Sequence, residues 1–435
     1  MFFKKKDKGE APAKAAAPEP RRDEPRREEA RREENWRQEP ARQAAPVAPP
    51  AAPARAGAGA SVDAALVKAR GGKGAPVSFE AVAAQAAAAD VLASSSDPAD
   101  RAAARDLAAG ETEKGLNGLF AAAQANPLNA ARWRTLGALA FNVDASRSRF
   151  AYLSAFNLPE RRFWDGIWLA RLRGLSSDLS GAVEATDVAG NLAANDAERA
   201  VAHTELGLIM AAAKQPEKAL KHAEEALLLG GRPTTTDMQR QAVVRYMLLG
   251  DSALDLNDLS KARKALADAL EVARKLGAAA PKDVTLAIGV CEVLEKNTVA
   301  AIAAQDNAAA KAAIDEAVSI RRRLASAVKL PDLDRGLARS LTVKGEVARN
   351  AGDTAGANAA FEECLNLVRR ISDAHPRDEA AQRELWRTMW HVASVRGAGG
   401  HWNQVVAAME KMQAGGVLDP EGRRFLEEGR RRVPA

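Results

Sequence analysis

Between Leu337 and Ile371 the chain reads LARSLTVKGEVARNAGDTAGANAAFEECLNLVRRI, and its apolar and small residues recur at helical spacing. Leu341, Gly345 and Ala348 fall on a first predicted helix, and Asn350–Asp353 form the turn after it. Ala357, Phe361 and Cys364, at i, i+4 and i+7, share one face of a second helix. Small residues at Gly345 and Ala357 let two helix backbones approach closely, while Phe361 fills the gap toward the next pair. The stretch therefore predicts a helical hairpin with one apolar side left for a neighbour.

The same phasing returns along the chain. Gly115, Leu119 and Ala122 repeat it, as do Ala182, Thr186 and Ala189. Leu206 and Gly207 precede Ala219, Ala223 and Ala226; Tyr246, Leu249 and Gly250 precede Ala262, Leu266 and Ala269. Leu294 precedes Ala310, Ile314 and Ala317, and Met389 and Val392 precede Val405, Met409 and Met412. Around Ala151 and Ala155 the pattern is irregular. The second-helix anchors thus fall at 115, 151, 182, 219, 262, 310, 357 and 405, with intervals that lengthen to 43–48 residues after Ala219. Extra turns on both helices explain the lengthening. Asp97-Pro98 and Asp419-Pro420 each place an N-cap before a first-turn proline.

In NPLNAARWRTLGALAF, residues 126–141, Trp133, Leu136 and Gly137 follow the W-x2-L-G spacing. That motif, with alternating small and large anchors, resembles the tetratricopeptide repeat, whose unit is about 34 residues. The long later units resemble those of bacterial regulatory and scaffold arrays. The resemblance implies an all-α, right-handed solenoid of about eight stacked hairpins, its inner surface lined by the first helices. It also implies binding of another protein through an extended or helical segment. The family's inward positions lie one, five, eight and nine places after the tryptophan position. Here they select Arg134, Asn142, Arg171, Asp251, Asp255, Glu346, Arg349, Asn350 and Trp390, which Arg339 and Arg387 join from two places before their anchors. The groove they imply is mixed in charge. The Lys and Asn pattern with which some members clamp a partner's C-terminal carboxylate is absent.

Composition divides the chain. Residues 1–75 hold nine of the twenty prolines and have too little apolar area to offset their ordering entropy. They contain 17 Lys/Arg against 11 Asp/Glu, which is the whole net charge of +6, so the remainder is neutral. The expected organisation is a disordered tail (1–75), a poorly specified alanine-rich helix or linker (76–96), the solenoid (97–418) and a capping helix (419–435). Phe2 and Phe3 beside Lys4, Lys5 and Lys6 offer weak contact with an anionic membrane. The opening residues lack the apolar core of a secretory signal, and no run of 18 apolar residues occurs. The two cysteines form no C-x-x-C pair, and Ala/Arg-heavy usage points to a GC-rich bacterium. A cytoplasmic location is expected.

Candidate chemistry changes little. The five histidines form no H-E-x-x-H, the glycine runs match no phosphate loop, and no G-x-S-x-G occurs. No enzyme activity, cofactor, metal or small-molecule substrate is expected. The leading expectation is a protein-interaction scaffold or adaptor. One alternative is a helical-repeat RNA or nucleic-acid binder using the triplets Arg321–Arg323 and Arg430–Arg432 and the pair Arg132/Arg134. The neutral body opposes it. The other is a peripheral membrane-associated assembly factor tethered by the basic N-terminus.

Overall fold

The computed structural model describes residues 79–328, 331–396 and 401–433. The tail segments singled out above, including Phe2, Phe3 and Lys4–Lys6, lie outside the described residues, as does the whole of the first of two compact units, residues 1–56. The described residues form helices and no strand.

A single helix, α1 (Phe79–Ser94), comes first. Eight hairpins follow: α2 (Pro98–Ala108) with α3 (Thr112–Ala125), α4 (Ala130–Ala140) with α5 (Ala145–Phe156), α6 (Phe163–Leu175) with α7 (Leu179–Asn191), and α8 (Asp196–Ala212) with α9 (Pro216–Gly230). The longer hairpins are α10 (Thr236–Asp255) with α11 (Leu259–Ala279), α12 (Val284–Ala303) with α13 (Asn307–Ala327), α14 (Pro331–Asn350) with α15 (Thr354–Ala374), and α16 (Glu379–Arg396) with α17 (Trp402–Ala414). The chain's last described helix is α18 (Pro420–Arg432). Each helix packs on the one before and the one after, as a solenoid requires.

Every second-helix anchor is buried: Gly115, Ala151, Ala182, Ala219, Ala262, Ala310, Ala357 and Val405. The facing glycines explain the close packing. A Cβ on Gly345 would stand 2.5 Å from the Phe361 ring, and one on Gly137 would stand 2.8 Å from the Tyr152 ring. On Gly250 it would meet Leu266 at 2.6 Å. A first-helix glycine thus receives a large side chain from its own second helix, and the pair fits only without a Cβ. The region around Ala151, irregular by sequence, is a regular helix because Tyr152 fills this role there. Helices α10 to α15 run to 20 or 21 residues, against 11 to 13 in α4 to α7, which accounts for the longer repeat interval.

The turns repeat as well. A residue with positive φ precedes an N-cap at Ser177/Asp178, Asn257/Asp258, Gln305/Asp306 and Gly352/Asp353. In each, the Asp carboxylate accepts from a first-turn backbone N–H, as at Gly181 (2.9 Å) and Lys261 (3.0 Å). The backbone N–H of Asp258 also bonds Ala253 O at 2.8 Å, closing the preceding helix in a Schellman arrangement. Arginines of neighbouring hairpins pin the caps: Arg263 to Asp306 at 3.0 Å and Arg335 to Asp378 at 2.7 Å.

Two outcomes test this packing. Gly345→Leu should destabilise the array by about 1–3 kcal/mol through overpacking against Phe361, read as a lower urea midpoint. Burial pushes the Cys291 thiol up to about 12 and raises that of Cys364, so neither should react with a thiol reagent until the chain unfolds.

Candidate functional site: the inner wall

First helices of successive hairpins touch one another from α6 through α8, α10 and α12 to α14, and α14 meets α16 through Glu346 and His391, so they form the inner side of the stack. A first helix in mid-array is flanked by its own partner helix, the preceding second helix and two first helices. Its exposed side chains therefore mark the inner wall. Past the first turn these are Leu208, 41% exposed, and Ala212 in α8, and Val244, 42% exposed, and Asp255 in α10. In α12 they are Glu292 and Val299, the latter 48% exposed. Arg339 on α14 and Arg387 on α16 continue the line. An apolar strip over three helices thus gives way to a charged stretch.

The charged stretch has distinct electrostatics. Enough protein surrounds Glu292 that burial holds its carboxyl above the usual carboxylate range against the pull of Arg321 and Arg339. Burial does the same to Glu384 on α16, whose Oε2 has no hydrogen-bond partner. Arg339 lies on the helix between them and makes no ion pair within 4 Å among the described residues. Behind this line, buried Arg321 donates to Glu295 at 2.8 Å, and the Ser340 hydroxyl donates to the same oxygen. Further along, Arg245 is buried with no carboxylate, donating to Thr204 Oγ1 at 3.2 Å and Gln241 Oε1 at 2.9 Å. Its guanidinium lies over Gly230 at the end of α9, where helix carbonyls favour a cation, and burial pulls its pKa down to about 10.

The residues expected in the groove divide into three groups. Exposed on the wall are Asp255, Arg339, Arg349, Asn350 and Arg387, although Arg349 pairs with Glu346 and Arg387 with Glu421. Partly covered and committed to other hairpins or helices are Arg134, Arg171, Asp251 and Glu346. Arg134 makes a two-pronged bridge to buried Asp165 at 2.9 Å, and Arg171 reaches Glu205 at 2.5 Å while lying over Trp168. Asp251 binds Lys296 at 2.8 Å, and Glu346 binds His391 at 2.9 Å. The third group is packed away. Asn142 is 1% exposed, and Trp390 lies edge-on to Trp402 and Phe425 at 4.9 and 4.8 Å.

Leu208, Val244 and Val299 carry no charge or motif, and their exposure could not be read from periodicity alone. The offset of five places from His203 selects Leu208. The same rule applied from Cys291 selects Glu292 and Val299. Most of the arginines considered for RNA are engaged: Arg132 with Asp97, Arg134 with Asp165, Arg321 with Glu295, Arg322 with Glu363, Arg430 with Glu410 and Arg432 with Glu428.

No known family's sequence profile matches the chain, and no curated protein matches it. Among solved structures, a STAND protein with a tetratricopeptide repeat sensor from Pyrococcus horikoshii aligns with a TM-score of 0.50 at 12% identity, covering 78% of this chain and 46% of that one. The Cut9–Hcn1 hetero-tetramer of the APC/C aligns at 0.46 and 16% identity, covering 75% and 54%. A Rap protein complexed with competence and sporulation factor aligns at 0.44 and 13%, covering 81% and 91%. The fold is a tetratricopeptide-type helical-repeat solenoid. Among the described residues no helix is long and apolar enough to cross a membrane.

Three substitutions probe the wall's electrostatics. A carboxyl whose folded pKa is raised contributes stability below its unfolded pKa and loses it as pH rises through the folded value. Glu384→Gln should therefore raise the urea midpoint relative to the parent at pH 7 and leave it unchanged at pH 4. Glu295→Ala strands buried Arg321 and should cost about 3 kcal/mol, whereas Arg339→Ala should stay within about 0.5 kcal/mol of the parent.

Proposed function

We propose that the chain is a non-enzymatic scaffold or adaptor that docks a segment of another protein along the inner wall from α8 to α16. The observation that carries this reading is the exposed strip of Leu208, Val244 and Val299 on three successive first helices, continued by Glu292, Arg339 and Arg387. Large apolar side chains on successive first helices, bordered by charge of which Arg339 is unpaired, suit an amphipathic segment: its apolar side covers the strip and a carboxylate reaches Arg339. Asp255 and Glu292 favour a basic residue near the strip. Residues 1–75, outside the described residues, would act as a second tether that raises the partner's effective concentration.

A photo-cross-linking residue at Leu208 or Val299 should trap one discrete protein in the native extract, and Arg339→Glu should weaken that capture by tenfold or more. The control is Leu228 on α9, which is 76% exposed and off this wall. If position 228 traps the same species in the same yield, the wall is not the docking surface.

A further inference from the structure

The inner wall is open in the later hairpins and closed in the first three. Ala138 on α4 and Asn142 in the turn after it stand at the offsets that leave Leu208 and Ala212 exposed on α8, and both are buried, as is Phe141. Between Asp165 and Ala170 every side chain of α6 is buried too. The cover is α1. It packs mainly on α4 and also on α2, both first helices, and Glu80 at its start approaches the Arg171 guanidinium of α6 at 3.9 Å. The helix therefore starts at the third hairpin and runs back to the first. Its 16 residues span about 24 Å, the distance needed to cross three helices packed about 10 Å apart.

The fit is shallow. Ala81, Ala88 and Leu92 are the side chains α1 buries, with Ala81 joining Phe141, Tyr152 and Trp168 and Leu92 joining Leu116, Trp133 and Leu136. The charge contact is long, and Arg171 is already bridged to Glu205 at 2.5 Å. One polar group is left unmet: both amide atoms of Asn142 are buried without a hydrogen-bond partner. A buried amide in that state opposes its own cover. No α1 side chain bonds it: Gln85, which falls on the face of Ala81, Ala88 and Leu92 and is partly buried, makes no hydrogen bond to it.

We propose that α1 is a resident, displaceable ligand of the inner wall of hairpins one to three. The surface beneath it takes a helix with an alanine face, one larger apolar residue near its C-terminal end, and a side-chain amide or hydroxyl that satisfies Asn142. A partner helix of that chemistry outcompetes α1, whose own amide, Gln85, leaves Asn142 unmet. This rests on the docking reading above and extends the usable wall from five hairpins to eight.

The test uses the full chain and a labelled peptide of residues 79–94, FEAVAAQAAAADVLAS. In the parent, backbone amides of α1 should exchange at least tenfold faster than those of α8 and α9, through an opening that leaves the stack folded. Leu92→Arg should loosen the chain's own α1 and bind the peptide at least tenfold tighter than the parent does. Asn142→Leu removes the unmet amide and should slow α1 exchange severalfold. Equal protection of α1 and α8, or peptide binding by Leu92→Arg no stronger than the parent's with an unchanged melting midpoint, would overturn the proposal. If Leu92→Arg does not fold, the exchange rates of the parent and of Asn142→Leu decide. Cross-linking at Val299 alongside a locked α1 would sink this inference and leave the docking reading intact; the converse would sink only the latter.

Discussion

The structure depends on the absence of a side chain where a first-helix glycine faces a large residue of its own second helix. Where Gly137, Gly250 and Gly345 face Tyr152, Leu266 and Phe361, a methyl group would overlap the ring or branch that occupies the site. Each such pair fixes how closely and in what register two helices lie, and the alanines at 182, 219, 262, 310 and 357 fix the approach of the next hairpin. Burying alanine contributes little hydrophobic free energy per residue. What it contributes is proximity, which brings the larger residues of adjoining helices into contact over the whole length of a hairpin. Wherever the contact is closest, the helix termini and turns follow, down to the repeated Asp caps.

Ion pairs are laid over this packing and decide what the inner wall presents. Arg134–Asp165 and Arg171–Glu205 join successive first helices and remove four charges from the surface. Asp251–Lys296 does the same for two more. Arg339 escapes this pattern: it acts on the Glu292 and Glu384 carboxyls of α12 and α16 through space but makes no ion pair among the described residues. A wall that had looked uniformly mixed in charge is instead patterned: bridged near the start, apolar in the middle, and charged beyond.

Much of the stack was legible because helical period and small-residue spacing are local. The eight anchors, the Asp-Pro helix starts and the longer late repeats all follow from residues within one hairpin. Partners 31 to 45 residues apart are not local, and no periodicity shows that Arg134 meets Asp165 or that Lys296 meets Asp251. Trp390 occupies an inward offset but lies beside α18, whose Phe425 gives it an apolar neighbour. Helix α1 was the hardest to place. Its alanines run all the way round, so no face stands out, and only the shape of the wall selects Ala81, Ala88 and Leu92.

The hydrophobic cores are not continuous from end to end. One apolar cluster runs unbroken from Val243 to Leu426, while two smaller ones lie in α1 and the first three hairpins, one of them reaching Ile209 on α8. The second helix of the fourth hairpin, α9, joins neither side and buries only Ala219, Ala223 and Ala226. It still packs closely against α8 and α10, so the joint between the two interiors is held by backbones that small side chains bring together rather than by apolar bulk.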